Sequence, residues 1–145
     1  MKEDYAVTVI GRQIYGGEDQ GEVRLSALGT YREKDGKRFI MYKEYDEEDA
    51  KTYRTSLLVV DGEMVTMSRS GTSTRLILEK GRRHLCLYDT VFGSMTVGIY
   101  TSRLDVDLGD RGGTLDIEYT LDIDSSMSSE QTLHIDVDPV ELGPI

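Results

Sequence analysis

Apolar and polar residues alternate in short segments along almost the whole chain. The segments end at turn signals such as Gly16-Gly17, Asp35-Gly36 and Asp61-Gly62. Alternation with a period of two gives a strand one buried and one solvated face, and this spacing of turns is typical of antiparallel hairpins. The pattern predicts strands at about residues 5–15, 22–33, 38–46, 53–61, 63–70, 72–79, 83–90, 94–107, 114–124 and 131–138.

The connections between these segments are short, mostly about two to six residues. Successive strands should therefore be antiparallel neighbours in an up-and-down meander. Because closure into a barrel removes exposed edges, we expect an all-β fold with a single antiparallel barrel of about 8–10 strands and little helix. The clearest alternation predicts the inward residues, which are Leu115, Ile117, Tyr119, Leu121, Ile123, Leu133 and Ile135.

Three features fall between or after the strands. The only predicted helical turn is at residues 46–51, where several acids suit a helix N-terminus. A polar loop is predicted at residues 125–130, joining the last two strands into a hairpin. Pro139 and Pro144 should follow the last strand, where a missing N–H harms no ladder.

Length and composition favour one soluble domain, residues 1–145 with a short C-terminal tail at 139–145. The chain has 38% hydrophobic residues, as folded globules do. No signal peptide pattern opens it, and its longest aliphatic run, Leu57–Val60, is far short of the ~20 residues that cross a bilayer. A single cysteine, Cys86, forms no internal disulfide, which favours a reducing compartment. We expect a cytoplasmic protein without a membrane partner.

The net charge of −10 comes from the C-terminal part of the chain. Outward acids on the last two strands predict an acidic wall there. Phosphate binding depends on clustered Lys and Arg, so no nucleic-acid partner is expected. One basic cluster has two interpretations, a solvated strand face and turn or an anion-binding patch. Its members are Arg69, Arg75, Lys80, Arg82 and Arg83.

Catalytic signatures are missing from the sequence. It has no Gly-x-Ser-x-Gly elbow, Walker loop, His-Glu-x-x-His motif or dinucleotide fingerprint. His134 is interpreted as a solvated histidine on the acidic face, and His84 with Cys86 as ordinary packing. Asp122 to Ser128 lacks the glycine and glutamate of a calcium loop. No catalytic residue, metal or cofactor is predicted, and an enzyme is the less favoured class.

Several motifs occur in the order that a known family shows. Tyr42-Lys43-Glu44 and Arg69-Ser70-Gly71 come first, then Phe92-Gly93 with a long strand after it, then Gly113–Leu121. Over about residues 5–138 the chain resembles the YwiB-like family of small uncharacterised bacterial proteins, a domain of unknown function. The resemblance implies a calycin-like barrel, the architecture of lipocalins and fatty-acid-binding proteins, and it implies no activity. Family members often have proline where this chain has Val91, which predicts a different turn there.

Three motif residues, Tyr42, Glu44 and Arg69, are the candidate ligand-binding residues. Tyr42 and Glu44 share a strand face with Ile40, and Arg69 shares one with Val65. A charged side chain on an apolar face must be paired or open to water. One interpretation is a buried Glu44–Arg69 ion pair, whose disruption would destabilise the fold by about 3–5 kcal/mol. The other is a barrel pocket where Arg69 meets a ligand carboxylate or phosphate.

Two functions follow from these observations, and the oligomeric state is open. The first is a non-enzymatic binding barrel for a small amphipathic or anionic ligand, shaped by some of the nine tyrosines. The absence of Trp and the short residue 16–21 connection exclude the lipocalin Gly-x-Trp signature and the helical lid of fatty-acid-binding proteins. The alternative is a structural or interaction protein with a filled barrel, whose acidic C-terminal face meets a basic partner.

Overall fold

The computed structural model describes residues 4–45, 48–49, 51–90, 93–123 and 127–140. These residues form ten strands and contain no helix. The strands are β1 (Tyr5–Tyr15), β2 (Glu18–Lys34), β3 (Lys37–Tyr45), β4 (Tyr53–Asp61), β5 (Met64–Arg69), β6 (Arg75–Glu79), β7 (Arg83–Thr90), β8 (Gly93–Gly109), β9 (Gly112–Ile123) and β10 (Met127–Pro139).

All ten strands belong to one closed antiparallel barrel. Each strand pairs with its neighbours in sequence, and β1 pairs with β10 to close the sheet. The predicted all-β, up-and-down barrel is therefore confirmed. No helix among the described residues has the length and apolar character needed to cross a bilayer.

Inward side chains of every strand fill the middle of the barrel. Of the residues predicted to point inward, Leu115, Ile117 and Ile135 are fully buried. The other four are partly buried and pack against the same core, so the predicted face is confirmed. Because alternation has a period of two, a slip of one residue would have turned this whole set to solvent. Val137 of β10 and residues from the other strands complete the centre of the core, namely Val7, Ile40, Leu58, Val65, Leu78, Val97 and Ile99.

The strands extend further than predicted at one end of the barrel. β2 begins at Glu18 instead of residue 22, and β10 begins at Met127 instead of residue 131. Both extensions pair with β1, since Tyr15 lies opposite Glu18 on one side and Ser129 on the other. Residues 18–22 are exposed on both faces of this arm. Alternation disappears where both faces of a strand are solvated, so the pattern missed these ends.

Two other predicted boundaries are wrong. β6 begins at Arg75 instead of residue 72, because the Thr72 hydroxyl donates to the Arg69 carbonyl at 2.9 Å and closes a turn. Pro139 is the last residue of β10, opposite Tyr5, and does not follow the strand. Proline has no backbone N–H, and it is tolerated at a strand end because the ladder requires no N–H donor there.

Some sequence predictions fall on residues outside those the structure describes. They are the turn containing Val91, much of the helical turn at 46–51, part of the 125–130 loop and residues 141–145. In the described part of the first loop, Asp49 accepts hydrogen bonds from the Lys51 N–H at 3.1 Å and the Thr52 hydroxyl at 2.8 Å.

The barrel has a tall wall and a low wall. β1, β2, β8, β9 and β10 have 11 to 17 residues, whereas β4 to β7 have 5 to 9. β2 and β3 separate at the Gly29–Tyr42 pair, and β2 continues back to Glu18 beside β1 alone. A Cβ at Gly29 would overlap the Met41 carbonyl oxygen. Glycine therefore allows the close approach of β2 and β3 at the point where they part.

Replacing Gly29 with alanine should destabilise the barrel. Its Cβ would press on main chain, which cannot rotate away, so we expect a loss of about 1–3 kcal/mol in the free energy of unfolding. Gly11→Ala is the matched control, because its Cβ would meet only the Leu133 side chain at 3.9 Å. Chemical denaturation should place Gly11→Ala within about 0.5 kcal/mol of the wild type. Equal stability of the two variants would contradict this account of Gly29.

Candidate functional site

The three candidate residues meet at the barrel end from which the long arm projects, here called the mouth. β3 brings Tyr42 and Glu44 to the mouth, and the end of β5 brings Arg69. Ser56 of β4 lies between them, directly opposite Tyr42 on one side and Arg69 on the other. Opposite residues of antiparallel strands point to the same face of the sheet, so Tyr42, Ser56 and Arg69 all face the barrel interior.

Glu44 and Arg69 form the predicted ion pair, with Nη2 and Oε2 separated by 3.4 Å. The Arg69 Nε also lies 3.5 Å from the Ser56 hydroxyl. The prediction that the pair is buried is wrong, because the side chains are 40% and 38% exposed. β3 and β5 both end here, so water reaches the charged groups although Tyr42 and Val65, earlier on the same strands, are buried.

Below the ion pair, the mouth leads into a cavity of about 190 Å³. Seven polar residues line it, together with apolar residues from five strands around the barrel. The polar residues are Tyr42, Ser56, Ser68, Arg69, Thr74, Tyr88 and Tyr119, and the apolar ones include Val9, Leu58, Met67, Leu76 and Leu133.

Two tyrosines of the cavity, Tyr42 and Tyr119, are neutral hydrogen-bond donors over the physiological pH range. Burial raises the pKa of Tyr119 to about 12, with a further contribution from Tyr88. Burial also raises the pKa of Tyr42, against the opposing effect of the Ser56 hydroxyl. Arg69 adds a guanidinium, which carries donors and no acceptor. The mouth is therefore rich in donors, a chemistry that suits a carboxylate or another anion.

Sequence reasoning found part of this lining. Tyr119 was predicted to point inward. The sequence did not identify Ser56, Tyr88 or Tyr119 as part of a site. The register supplies the missing signal for Ser56, which lies between two motif residues of neighbouring strands. The sequence pattern did not identify Tyr88 as a lining residue, because apolar and polar residues do not alternate in β7. The other face of this strand carries the exposed Leu85 and Leu87.

Outward carboxylates on β9 and β10 form the predicted acidic wall and those on β8 extend it, but the chain's own cations partner several of them. Arg103 pairs with Asp105 at 2.6 Å. Arg83 holds both Asp122 oxygens, at 2.6 and 3.2 Å. The basic cluster predicted from the sequence therefore does not form one anion-binding patch. Arg83 is paired with Asp122, and Arg69 faces the mouth.

His134 lies on the acidic wall, as predicted, but it is not simply solvated. Its Nδ1 is 2.6 Å from Asp116 and its Nε2 is 3.1 Å from Asp136. The hydrogen bond with Asp116 is the largest of the causes that raise the pKa of His134 above 6.5.

His84 and Cys86 show no geometry of a metal or nucleophile site. His84 Nε2 is 2.8 Å from Glu79, and Cys86 is buried with its sulfur 3.2 Å from the Ile77 nitrogen. Burial raises the pKa of the Cys86 thiol, which disfavours the reactive thiolate. The described residues contain no group of three or more His, Cys, Asp or Glu side chains that could hold a metal ion.

The Glu44–Arg69 pair should contribute little to stability. Solvent screens half-exposed charges, so a double-mutant cycle of Glu44→Gln and Arg69→Met should give a coupling of about 1 kcal/mol or less. Urea unfolding of the four proteins measures it. A coupling of about 3–5 kcal/mol would show instead that the pair behaves as a buried one.

His134 should make stability depend on pH. Its folded pKa is raised, so its stabilising contribution is complete below pH 6.5 and is lost as the pH rises through the folded pKa. The group is partly exposed, so after screening we expect only a few tenths of a kcal/mol. Comparing wild type with His134→Gln across this range isolates the term. A pH-independent difference between the two proteins would contradict it.

The comparisons with known proteins support the same fold. The family model described as "Domain of unknown function (DUF1934)" matches residues 7–135. The "Uncharacterized beta-barrel protein YwiB" of Bacillus subtilis (strain 168) is 23% identical over 126 residues, covering 85% of this chain and 86% of that protein. The crystal structure of the ywiB protein from Bacillus subtilis has a TM-score of 0.71 at 19% identity, covering 94% of each chain. The predicted family is confirmed: the chain belongs to the DUF1934 family of β-barrel proteins of unknown function.

Proposed function

We propose that this protein is a non-enzymatic barrel that binds a small amphipathic anion at its mouth. The observation that carries the proposal is one guanidinium at the entrance of a cavity otherwise lined by apolar side chains, three tyrosines, two serines and a threonine. Such a lining combines apolar surface for the body of a ligand with a few polar groups that fix its orientation. The free thiol of Cys86 suits a reducing compartment, so we place this activity in the cytoplasm.

Arg69 is arranged to accept a second anionic partner. Its contact with Glu44 is 3.4 Å, whereas strong charge-assisted hydrogen bonds are about 2.7–2.9 Å long. The guanidinium carries five N–H donors, more than Glu44 and Ser56 engage. In this proposal Glu44 keeps Arg69 oriented while the cavity is empty, and a ligand carboxylate then shares or replaces that contact.

The cavity volume limits the size of the ligand. An engineered protein cavity of about 150 Å³ holds one benzene molecule. The 190 Å³ here would take a body only slightly larger, with its anionic group at the rim beside Arg69. A small aromatic or short-chain carboxylate fits this space, whereas a long fatty acid does not. Fully buried side chains such as Ile40, Leu115 and Ile135 occupy the interior of the barrel beyond the cavity.

The alternative function, docking of a basic partner on the acidic wall, has weaker support. Arg83, Arg103 and His134 already partner carboxylates of this wall. A basic partner would have to compete with these internal contacts. The mouth therefore offers the better-supported site.

Binding should follow ligand size and depend on Arg69. Native mass spectrometry of the protein purified from cells should show a retained small anion, and titration should give binding of benzoate in preference to palmitate. Arg69→Met should abolish both signals. Arg75→Met is the matched control, because Arg75 is exposed on β6 and points away from the interior.

The thermal stability of Arg69→Met should remain close to that of the wild type, which separates lost binding from lost folding. Unchanged carboxylate binding in this variant would contradict the proposed site. Failure of the wild type to retain or bind any carboxylate would contradict the proposed function.

A further inference from the structure

The arm of β2 leaves a strand edge without a sheet partner among the described residues. β2 pairs with β3 only from Gly29 to Lys34, whereas residues 18–28 pair with β1 alone. A strand edge presents main-chain N–H and C=O groups that another strand can pair with. The edge therefore offers a place where a further strand can extend the sheet.

This edge lacks proline and lysine, two residues that commonly protect strand edges from pairing, although residues 18–28 carry four other charged side chains. Val23, in the middle of the segment, is 73% exposed, the largest value for a big apolar side chain in the described part of the chain. The bulge next to Gly21, whose φ is +97°, interrupts the β1 ladder only towards the tip of the arm.

The charges beside Val23 select the strand that fits. Glu22 and Arg24 flank it and point to the outer face, and neither makes an ion pair within the described residues. Arg12 lies opposite Glu22 across the β1–β2 ladder, but its guanidinium pairs with Asp19 instead. Both charges are therefore available to a neighbouring strand.

We propose that two copies of this chain pair antiparallel along this edge, around a two-fold axis at Val23. In that register Glu22 lies opposite Arg24 of the second copy, and symmetry repeats the contact. The two Val23 side chains face each other, and Gly21 faces Leu25. An isologous contact of this kind closes as a dimer and joins the barrels through one continuous sheet. The segment is complementary to itself, which favours a second copy over an unrelated peptide.

Reversing the charges tests both the dimer and its register. Sedimentation velocity over a concentration series should show a wild-type dimer. Arg24→Glu and Glu22→Arg should each weaken it about tenfold, because two attractive cross-strand pairs become repulsive. The double variant Glu22→Arg/Arg24→Glu should restore the wild-type affinity. Arg32→Glu is the matched control, an exposed arginine of the same strand that lies outside residues 18–28 and opposite Phe39 of β3.

Circular dichroism of each variant should show an unchanged barrel, so that a lost dimer is not a lost fold. Hydrogen exchange gives an independent measurement, since amides between residues 21 and 25 should become protected as the wild-type concentration rises. A wild type that stays monomeric at millimolar concentration would overturn the proposal, even if another protein then occupied the edge. A dimer that survives both single reversals, or a double variant that fails to restore it, would also overturn it.

Discussion

The pairing of β1 with β10 is the contact on which the rest of this structure depends. It runs the full length of β1, from Tyr5 opposite Pro139 to Tyr15 opposite Ser129, and joins the first strand to the last. Once the sheet is closed, each residue points either into the barrel or out to solvent. The register of this pair therefore determines that Val7, Ile135 and Val137 lie in the core.

Strands of unequal length shape what the closed sheet can do. The long strands continue past the point where the short ones stop, which leaves a tall wall beside an open mouth. Inward-facing side chains at the ends of the short strands therefore lie at the rim of the mouth and are partly exposed to solvent. For that reason Ile40 and Tyr42 are buried, whereas Glu44, two residues further along the same face, is half-solvated.

The same inequality accounts for the two interaction sites that we propose. Inside the rim, the combination of Arg69 with tyrosines and aliphatic side chains makes a small cavity with donors at its entrance. Outside it, β2 runs on beside β1 alone and exposes an edge centred on Val23. We propose the first site for a small anion and the second for another copy of the chain.

Much of the fold could be predicted from the sequence, because apolar and polar residues alternate in β9 and β10. Such alternation indicates a strand with one buried face and one solvent-exposed face. The faces of Tyr42, Glu44 and Arg69 followed from the same logic. Their solvent exposure did not, since the point where a strand crosses the rim depends on the stagger of all its neighbours. Positions without alternation were also missed. At Glu18–Glu22 both faces of the strand are exposed to solvent, and around Tyr88 apolar residues occupy both faces.

The cavity as the place where an anion binds is the central claim, and methionine methyl NMR tests it most directly. Met67 lines the cavity, whereas Met41 is 42% exposed on the outer surface and serves as an internal control. On addition of benzoate, the Met67 methyl signal should shift and the Met41 signal should not. The Met67 shift should disappear in Arg69→Met. A Met67 signal that does not respond to benzoate, or one that moves equally in Arg69→Met, would contradict the account.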